Sequence, residues 1–218
     1  KLTYLSEDKL DLSNFTAVAI PVLPSEKIEL SKTKFLTAVS NFTKLDLNIE
    51  LSNWPDFKAK PGEIIEIPIS VGSLTRIYLV GIGDECDDDL RKASTSIGRK
   101  IKGTNSVLLS ALTTEKNKVI TQGVAFILSN YQYSLKSEQK ESKPTFVIYG
   151  DYEDEVERAE ILAAAVWQAR NLIHTPSNIK NPEWLAKQAT AMVSNAKDSD
   201  LSITVKSGRA LKEFGGLL

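Results

Sequence analysis

Residues 76–103 read RIYLVGIGDECDDDLRKASTSIGRKIKG, a strand, a turn and a helix in one stretch. Arg76 to Ile82 is nearly continuously apolar and β-branched, the pattern of a buried strand. From about Asp88 to Lys102 the period changes. Leu90, Ala93, Ile97 and Ile101 recur every three or four residues, one face of an amphipathic helix, and Gly103 supplies its C-terminal stop. A buried strand that turns directly into a helix of this length belongs to an α/β layer structure.

The flanking sequence repeats this alternation. Upstream, Phe15 to Leu23 fits a buried strand, and Lys32 to Phe42 places Phe35, Leu36, Val39 and Phe42 on one helical stripe. Ile65, Ile67, Ile69 and Val71 alternate with other residues at the period of a half-buried strand, and Pro68 marks it as an edge or a bulge. Downstream come a strand at Val107 to Leu112, a helix at Glu115 to Tyr131, a polar loop at Lys136 to Lys143 and a strand at Thr145 to Tyr149. We expect a mixed or largely parallel sheet flanked by helices, forming a first domain over 1–150.

Asp154 to Ile173 contains neither Gly nor Pro and opens with acidic residues that suit the positive end of a helix. At ~1.5 Å per residue it extends roughly 30 Å, enough to link two domains. It forms a linker over 151–175. Thr175-Pro176 stops it, because the residue before proline is pushed out of the helical region. Asn181 then reads as an N-cap and Pro182 as the first residue of a helix carrying Leu185, Ala189 and Val193. Leu201 to Val205 reads as a strand and Arg209 to Phe214 as a short helix, the opening elements of a second α/β domain over 176–218.

Composition narrows the function classes. With 42% apolar and 25% charged residues and a net charge of −1, the chain is globular and has no electrostatic footprint for nucleic acid. The single cysteine, Cys86, excludes a disulfide framework and fits a reducing, cytoplasmic compartment. No apolar run approaches the ~20 residues of a membrane helix. No secretory leader is read at Lys1, and the missing initiator Met points to a trimmed start.

Local constellations favour structure over chemistry. Gly81-Ile82-Gly83 stands where a dinucleotide fingerprint would stand, but the third glycine position is Cys86. Asp84, Glu85, Asp87, Asp88 and Asp89 would repel a phosphate, and they suit a helix N-terminus instead. The same run lacks the internal glycine of a calcium loop. His174 is the only histidine, so no His-His zinc pair exists here. Cys86 lies among carboxylates that oppose thiolate formation. Trp54, Trp167 and Trp184 lack interleaved basic residues, which argues against a stacking platform, and Trp167 and Trp184, on the apolar stripes of their helices, read as packing.

Gln168 to Ala189, QARNLIHTPSNIKNPEWLAKQA, carries the strongest family signal. Ala169-Arg170, Thr175-Pro176-x-Asn178, Asn181-Pro182 and Leu185-Ala186 together resemble the interdomain connector of the leucyl aminopeptidases. Arg76 to Gly83 with Leu90-Arg91-Lys92-Ala93, and Gly123 with Tyr131 and Tyr133 to Lys136, are similar to that family's N-terminal domain, although Tyr133-Ser134 stands where Phe-Asp is usual. The resemblance implies a three-layer, macro-domain-like N-terminal domain, a linking helix and the start of a catalytic domain, with the sequence stopping at Gly215 to Leu218 before that domain's metal ligands.

For the parent protein the resemblance implies a cytoplasmic homohexamer that removes N-terminal residues from peptide substrates with two divalent ions, manganese or zinc. The ligand segments of such enzymes, of the type VGKGITFDSGG and NTDAEGR, do not occur in this sequence, so no residue receives a catalytic, metal-binding or cofactor-binding role. The segment's expected roles are assembly and domain positioning, without activity of its own. Two other readings stay open: a stand-alone macro-like module for ADP-ribose or another nucleotide, and a DNA-binding regulatory domain.

Overall fold

The computed structural model describes residues 1–25, 28, 30, 32–135, 143–196 and 200–215. The polar stretch 136–142 and the terminal 216–218 lie outside them. Contacts divide the chain into two compact units, Lys1–Ala169 and Arg170–Leu218, and the division falls within a helix.

The first unit is a mixed six-stranded sheet with helices on both faces. Its strands are β1 (Leu2–Leu5), β2 (Ala17–Val22), β3 (Ile64–Val71), β4 (Leu74–Gly81), β5 (Val107–Ser110) and β6 (Thr145–Tyr149), in the spatial order β1-β6-β5-β2-β4-β3. All neighbours are parallel except β3, which pairs antiparallel with β4 along one edge. The register shifts between Pro68 and Val71. An edge strand tolerates a proline there because the missing N–H removes no bond from the sheet interior.

Two cores lie on opposite faces of the sheet. Val18, Ile20 and Val22 of β2 point to the face covered by α1 (Lys34–Thr43) and α2 (Leu47–Ser52), where Phe35, Leu36, Val39, Leu47 and Leu51 pack. Ala17 and Ala19 point to the other face, against Leu90, Ala93 and Ile97 of α3 (Asp87–Lys100) and Val119 and Phe126 of α4 (Lys116–Ser129). The two-residue alternation of one strand thus assigns residues to separate cores. Phe126 stacks on Phe146 of β6 at 4.6 Å between centroids.

The long helix α5 (Glu153–His174) follows β6, and its Val156 and Ala159 join the second core. Gly123 of α4 permits this packing: a methyl group there would sit 2.8 Å from Ala159 Cβ.

The second unit contains α6 (Pro182–Asn195) and a 3-10 turn at Gly208–Phe214. Thr175 Oγ1 donates to the Asn171 carbonyl at 2.7 Å, Lys180 Nζ donates to that of Ile173 at 3.0 Å, and Asn181 Oδ1 accepts from the Trp184 N–H at 2.7 Å. Pro182 occupies the first helical turn. The stop and restart read from sequence are therefore built from side-chain caps. Leu201 to Val205 is irregular rather than a strand. A strand persists through its ladder, and no strand among the described residues pairs with it. The short helix read over 209–214 is present as a 3-10 helix over Gly208–Phe214. Strand β1 and helix α2 had no counterpart in the sequence reading.

Candidate functional site

The turn after β4 is the obvious place to look for phosphate chemistry, and its groups are committed elsewhere. The Gly81 N–H donates to the Glu63 carbonyl at 2.8 Å, the Gly62 N–H donates to that of Gly81 at 2.9 Å, and the Gly83 N–H donates to that of Ala59 at 3.3 Å. A Cβ on Gly81 would collide with the backbone of Ala59 and Lys60. These glycines admit a neighbouring loop, not a ligand.

The acidic run is likewise consumed by its surroundings. Asp89 accepts from the Asp84 N–H at 3.1 Å, Asp87 from the Thr121 hydroxyl at 3.0 Å, and Glu85, at φ 58, from the Thr113 hydroxyl at 3.0 Å. Asp88 pairs with Arg91 at 2.8 Å and Lys92 at 2.7 Å. The Lys92 ammonium holds the Asp88 carboxyl below its ordinary range, with Arg91 adding to the effect. Cys86 is exposed at the helix start. His174 is exposed at the end of α5. Among the described residues no three His, Cys, Asp or Glu side chains are grouped so as to hold a metal ion, so the residues present do not fit a dinuclear centre.

Of the tryptophans, Trp167 takes a structural position. Trp167 meets Tyr131 edge to face at 5.8 Å and borders a hollow of about 130 Å³ with Lys102, Ile127 and Phe146. Trp184 is half-buried, and Trp54 is 52% exposed.

One crevice has the position expected of a ligand site. It lies outside the carboxyl ends of β2, β5 and β6, where the connection leaving β2 runs to the α1 face of the sheet and the connection leaving its neighbour β5 runs to the α4 face; open α/β sheets bind ligands at such points. Its volume is about 220 Å³, and Ile20, Pro21, Phe35, Ala111, Tyr149 and Tyr152 line it, with Glu7 and Lys34 on the solvent side. The β2–β5 ladder closes with the Ala111 N–H on the Ala19 carbonyl at 3.2 Å. Strand alternation turns the Pro21 carbonyl to the same side, beyond that last bond.

The crevice rings are held in place. Phe35 and Tyr149 are 4.8 Å apart, and the Tyr152 hydroxyl donates to the Thr114 carbonyl at 2.9 Å. Burial, and then the carboxylate of Glu7, push the Tyr149 phenol above its ordinary range. Burial does the same to Tyr152, followed by Glu155, Glu7 and Asp151. Sequence reading missed this site because its walls come from five separate segments; the signal available was aromatic residues at and just after a strand's carboxyl end.

Residues 32–139 match the family model described as "Cytosol aminopeptidase family, N-terminal domain". The chain is 32% identical over 181 residues to the "Probable cytosol aminopeptidase" of Aquifex aeolicus (strain VF5), an alignment covering 76% of this chain and 35% of that relative. The fold is similar to a tomato leucine aminopeptidase mutant, with a TM-score of 0.72 and 18% identity over 97% of this chain and 45% of that one. It is also similar to the bottromycin maturation enzyme BotP in complex with Mn, with a TM-score of 0.68 and 18% identity over 92% of this chain and 40% of that one. The fold and sequence together define an aminopeptidase N-terminal domain. The chain belongs to the cytosol aminopeptidase family through that domain, and it spans about a third of the length of the curated relatives it matches.

Proposed function

We propose that this chain is the N-terminal part of a leucyl aminopeptidase that removes N-terminal residues from peptides, and that it contributes assembly and domain positioning rather than chemistry. The observation that carries the proposal is the family match over 32–139 together with the capped connector. In that connector Thr175 and Lys180 close one helix while Asn181 and Pro182 start the next. Extending the first domain over 1–150, the linker over 151–175 and the catalytic start over 176–218 is part of the same proposal.

Two divalent ions, manganese or zinc, would supply the parent enzyme with a polarised peptide carbonyl and an activated water. One structural neighbour is a complex with Mn, which supports metal use by the parent. No residue described here fits the centre, so the mechanism assigns this chain no chemical step. The cytoplasm is the proposed compartment and a homohexamer the proposed assembly. Exposed apolar side chains of the second unit, among them Leu185 at 54% and Met192 at 49%, support burial of this unit against further protein. The nucleotide-module and DNA-binding readings are not favoured, since the β4 turn is filled by its own loop and the net charge is −1.

The test is hydrolysis of leucine p-nitroanilide with added Mn²⁺ or Zn²⁺. The 218-residue chain is expected to be inert, and the complete product of its gene to be active and lost to chelator. Turnover by the chain alone, or metal-independent inactivity of the complete protein, contradicts the proposal.

A further inference from the structure

The crevice at the ends of β2, β5 and β6 plays no part in the function proposed above. We propose that it binds the α-ammonium group of a free amino acid or a peptide N-terminus bearing an apolar side chain, with Glu7 and the Pro21 carbonyl as acceptors.

Size supports this occupant. A cavity of roughly 150 Å³ lined by apolar side chains holds benzene, so about 220 Å³ admits a branched aliphatic or phenyl side chain. Ile20, Phe35 and Ala111 supply the apolar surface. The polar groups select the head. Tyr149 has no hydrogen-bond partner for its hydroxyl among the described residues, the Pro21 carbonyl lies beyond the last bond to β5, and Glu7 is the carboxylate on the solvent side. An ammonium group carries three donors and finds an oxygen of each kind here. The rings of Tyr149 and Tyr152 add the attraction of an aromatic face for a cation.

Charge excludes the opposite class. Glu7 acts on the Tyr149 phenol, and Glu155, Glu7 and Asp151 act on that of Tyr152, with Lys116 3.3 Å from Glu155, so a phosphate would meet a field mainly of its own sign. Among the described residues Lys34 is the one cation lining the crevice; its side chain is 89% exposed and 3.7 Å from Glu7. A pair this open is weak. A ligand ammonium can take its place on Glu7, while Lys34 turns toward a ligand carboxylate.

Only the amino-acid body of the probes rests on the peptidase proposal. Hydrolysis reports the parent's active site, whereas binding sensitive to Glu7 reports the crevice, so either idea can fail without the other. The experiment is saturation-transfer NMR and calorimetry on the full chain with L-leucine, Leu-Gly-Gly and N-acetyl-L-leucinamide near pH 7. At least one of the first two is expected to bind, and the acetylated probe, which lacks the ammonium, is not. Preference for leucine identifies the free amino acid and a carboxylate contact with Lys34; preference for the tripeptide identifies a peptide terminus. Glu7→Gln is expected to weaken binding about 10-fold, the loss of one charge-assisted bond. Tyr149→Phe is expected to weaken it less, with the unfolding midpoint retained in both variants. Absence of binding by both charged probes, equal binding of the acetylated probe, or unchanged affinity in Glu7→Gln overturns the proposal.

Discussion

Replacing Gly81 by alanine separates a packing role from a phosphate-binding role for the turn after β4. The added Cβ would meet the backbone of Ala59 and Lys60, and that backbone is tethered. Glu63 accepts from the Lys58 and Lys60 N–H groups at 3.1 Å each, Gly83 holds Ala59 from the other side, and Ala59 is fully buried at φ 53. A flexible side chain could turn away; this loop must move as a body. Overpacking of this kind costs about 1–3 kcal/mol, offset by about 0.4–1 kcal/mol from the lower chain entropy of unfolded alanine. Because the clash is with fixed backbone, the cost falls in the upper half of that range, and the net expectation is a loss of about 1–2.6 kcal/mol, or about 2–10 °C for a unit of this size. Urea unfolding followed by circular dichroism measures it as a lower midpoint at unchanged slope. A midpoint equal to or above the native one refutes the packing argument, and if nucleotide binding disappears in that stable variant, the turn is a ligand loop after all.

Two further outcomes follow from single side chains. Asn181→Ala removes the acceptor for the Trp184 N–H and is expected to weaken α6 by about 1 kcal/mol. Amide exchange in its first turn should rise about fivefold, and Asn181→Asp should restore protection. Glu66 accepts from Arg76 Nε at 2.6 Å and lies 2.9 Å from Lys100 Nζ; Lys100 first, then Arg76, holds its carboxyl below the ordinary range. A carboxyl whose pKa is lower folded than unfolded stabilises the protein above the unfolded value, and this stability is lost as pH falls through the folded one. Acid unfolding below about pH 4.3 should therefore be less steep in Glu66→Gln. An identical acid limb in the two proteins would remove Glu66 from the account.

The elements legible in the sequence are those that local rules determine. Leu90, Ala93 and Ile97 announce their helix by spacing, and all three are buried on one face. Pro68 announced an edge or bulge because proline cannot serve an interior ladder, and β3 has both features. Asn181-Pro182 announced a helix start because capping chemistry lies within four residues. What escaped depends on distant partners. Strand β1 exists through pairing of Leu2 with Phe146 and of Tyr4 with Ile148, and four residues contain no sign of neighbours so remote. Leu201 to Val205 shows the converse error: its β-branched pattern states a preference, but a strand requires a ladder.

The same division explains why family membership was easier to read than the crevice. A connector is a run of caps and stops, and each residue in it acts on a neighbour a few positions away, so its grammar survives in one line of text. The crevice gathers Ile20, Phe35, Ala111 and Tyr149 from three strand ends and a helix start, and in sequence each looks like an ordinary core residue. Sequence spacing could not separate them from the core, because the property that does so is position at the carboxyl ends of parallel strands. The Gly81-Ile82-Gly83 turn occupies a similar strand end and resembles a ligand motif in text, yet its own loop fills it. Glycine spacing at a strand end therefore signals close approach of backbone; only the residue that arrives, here Ala59, decides between a ligand and the protein itself.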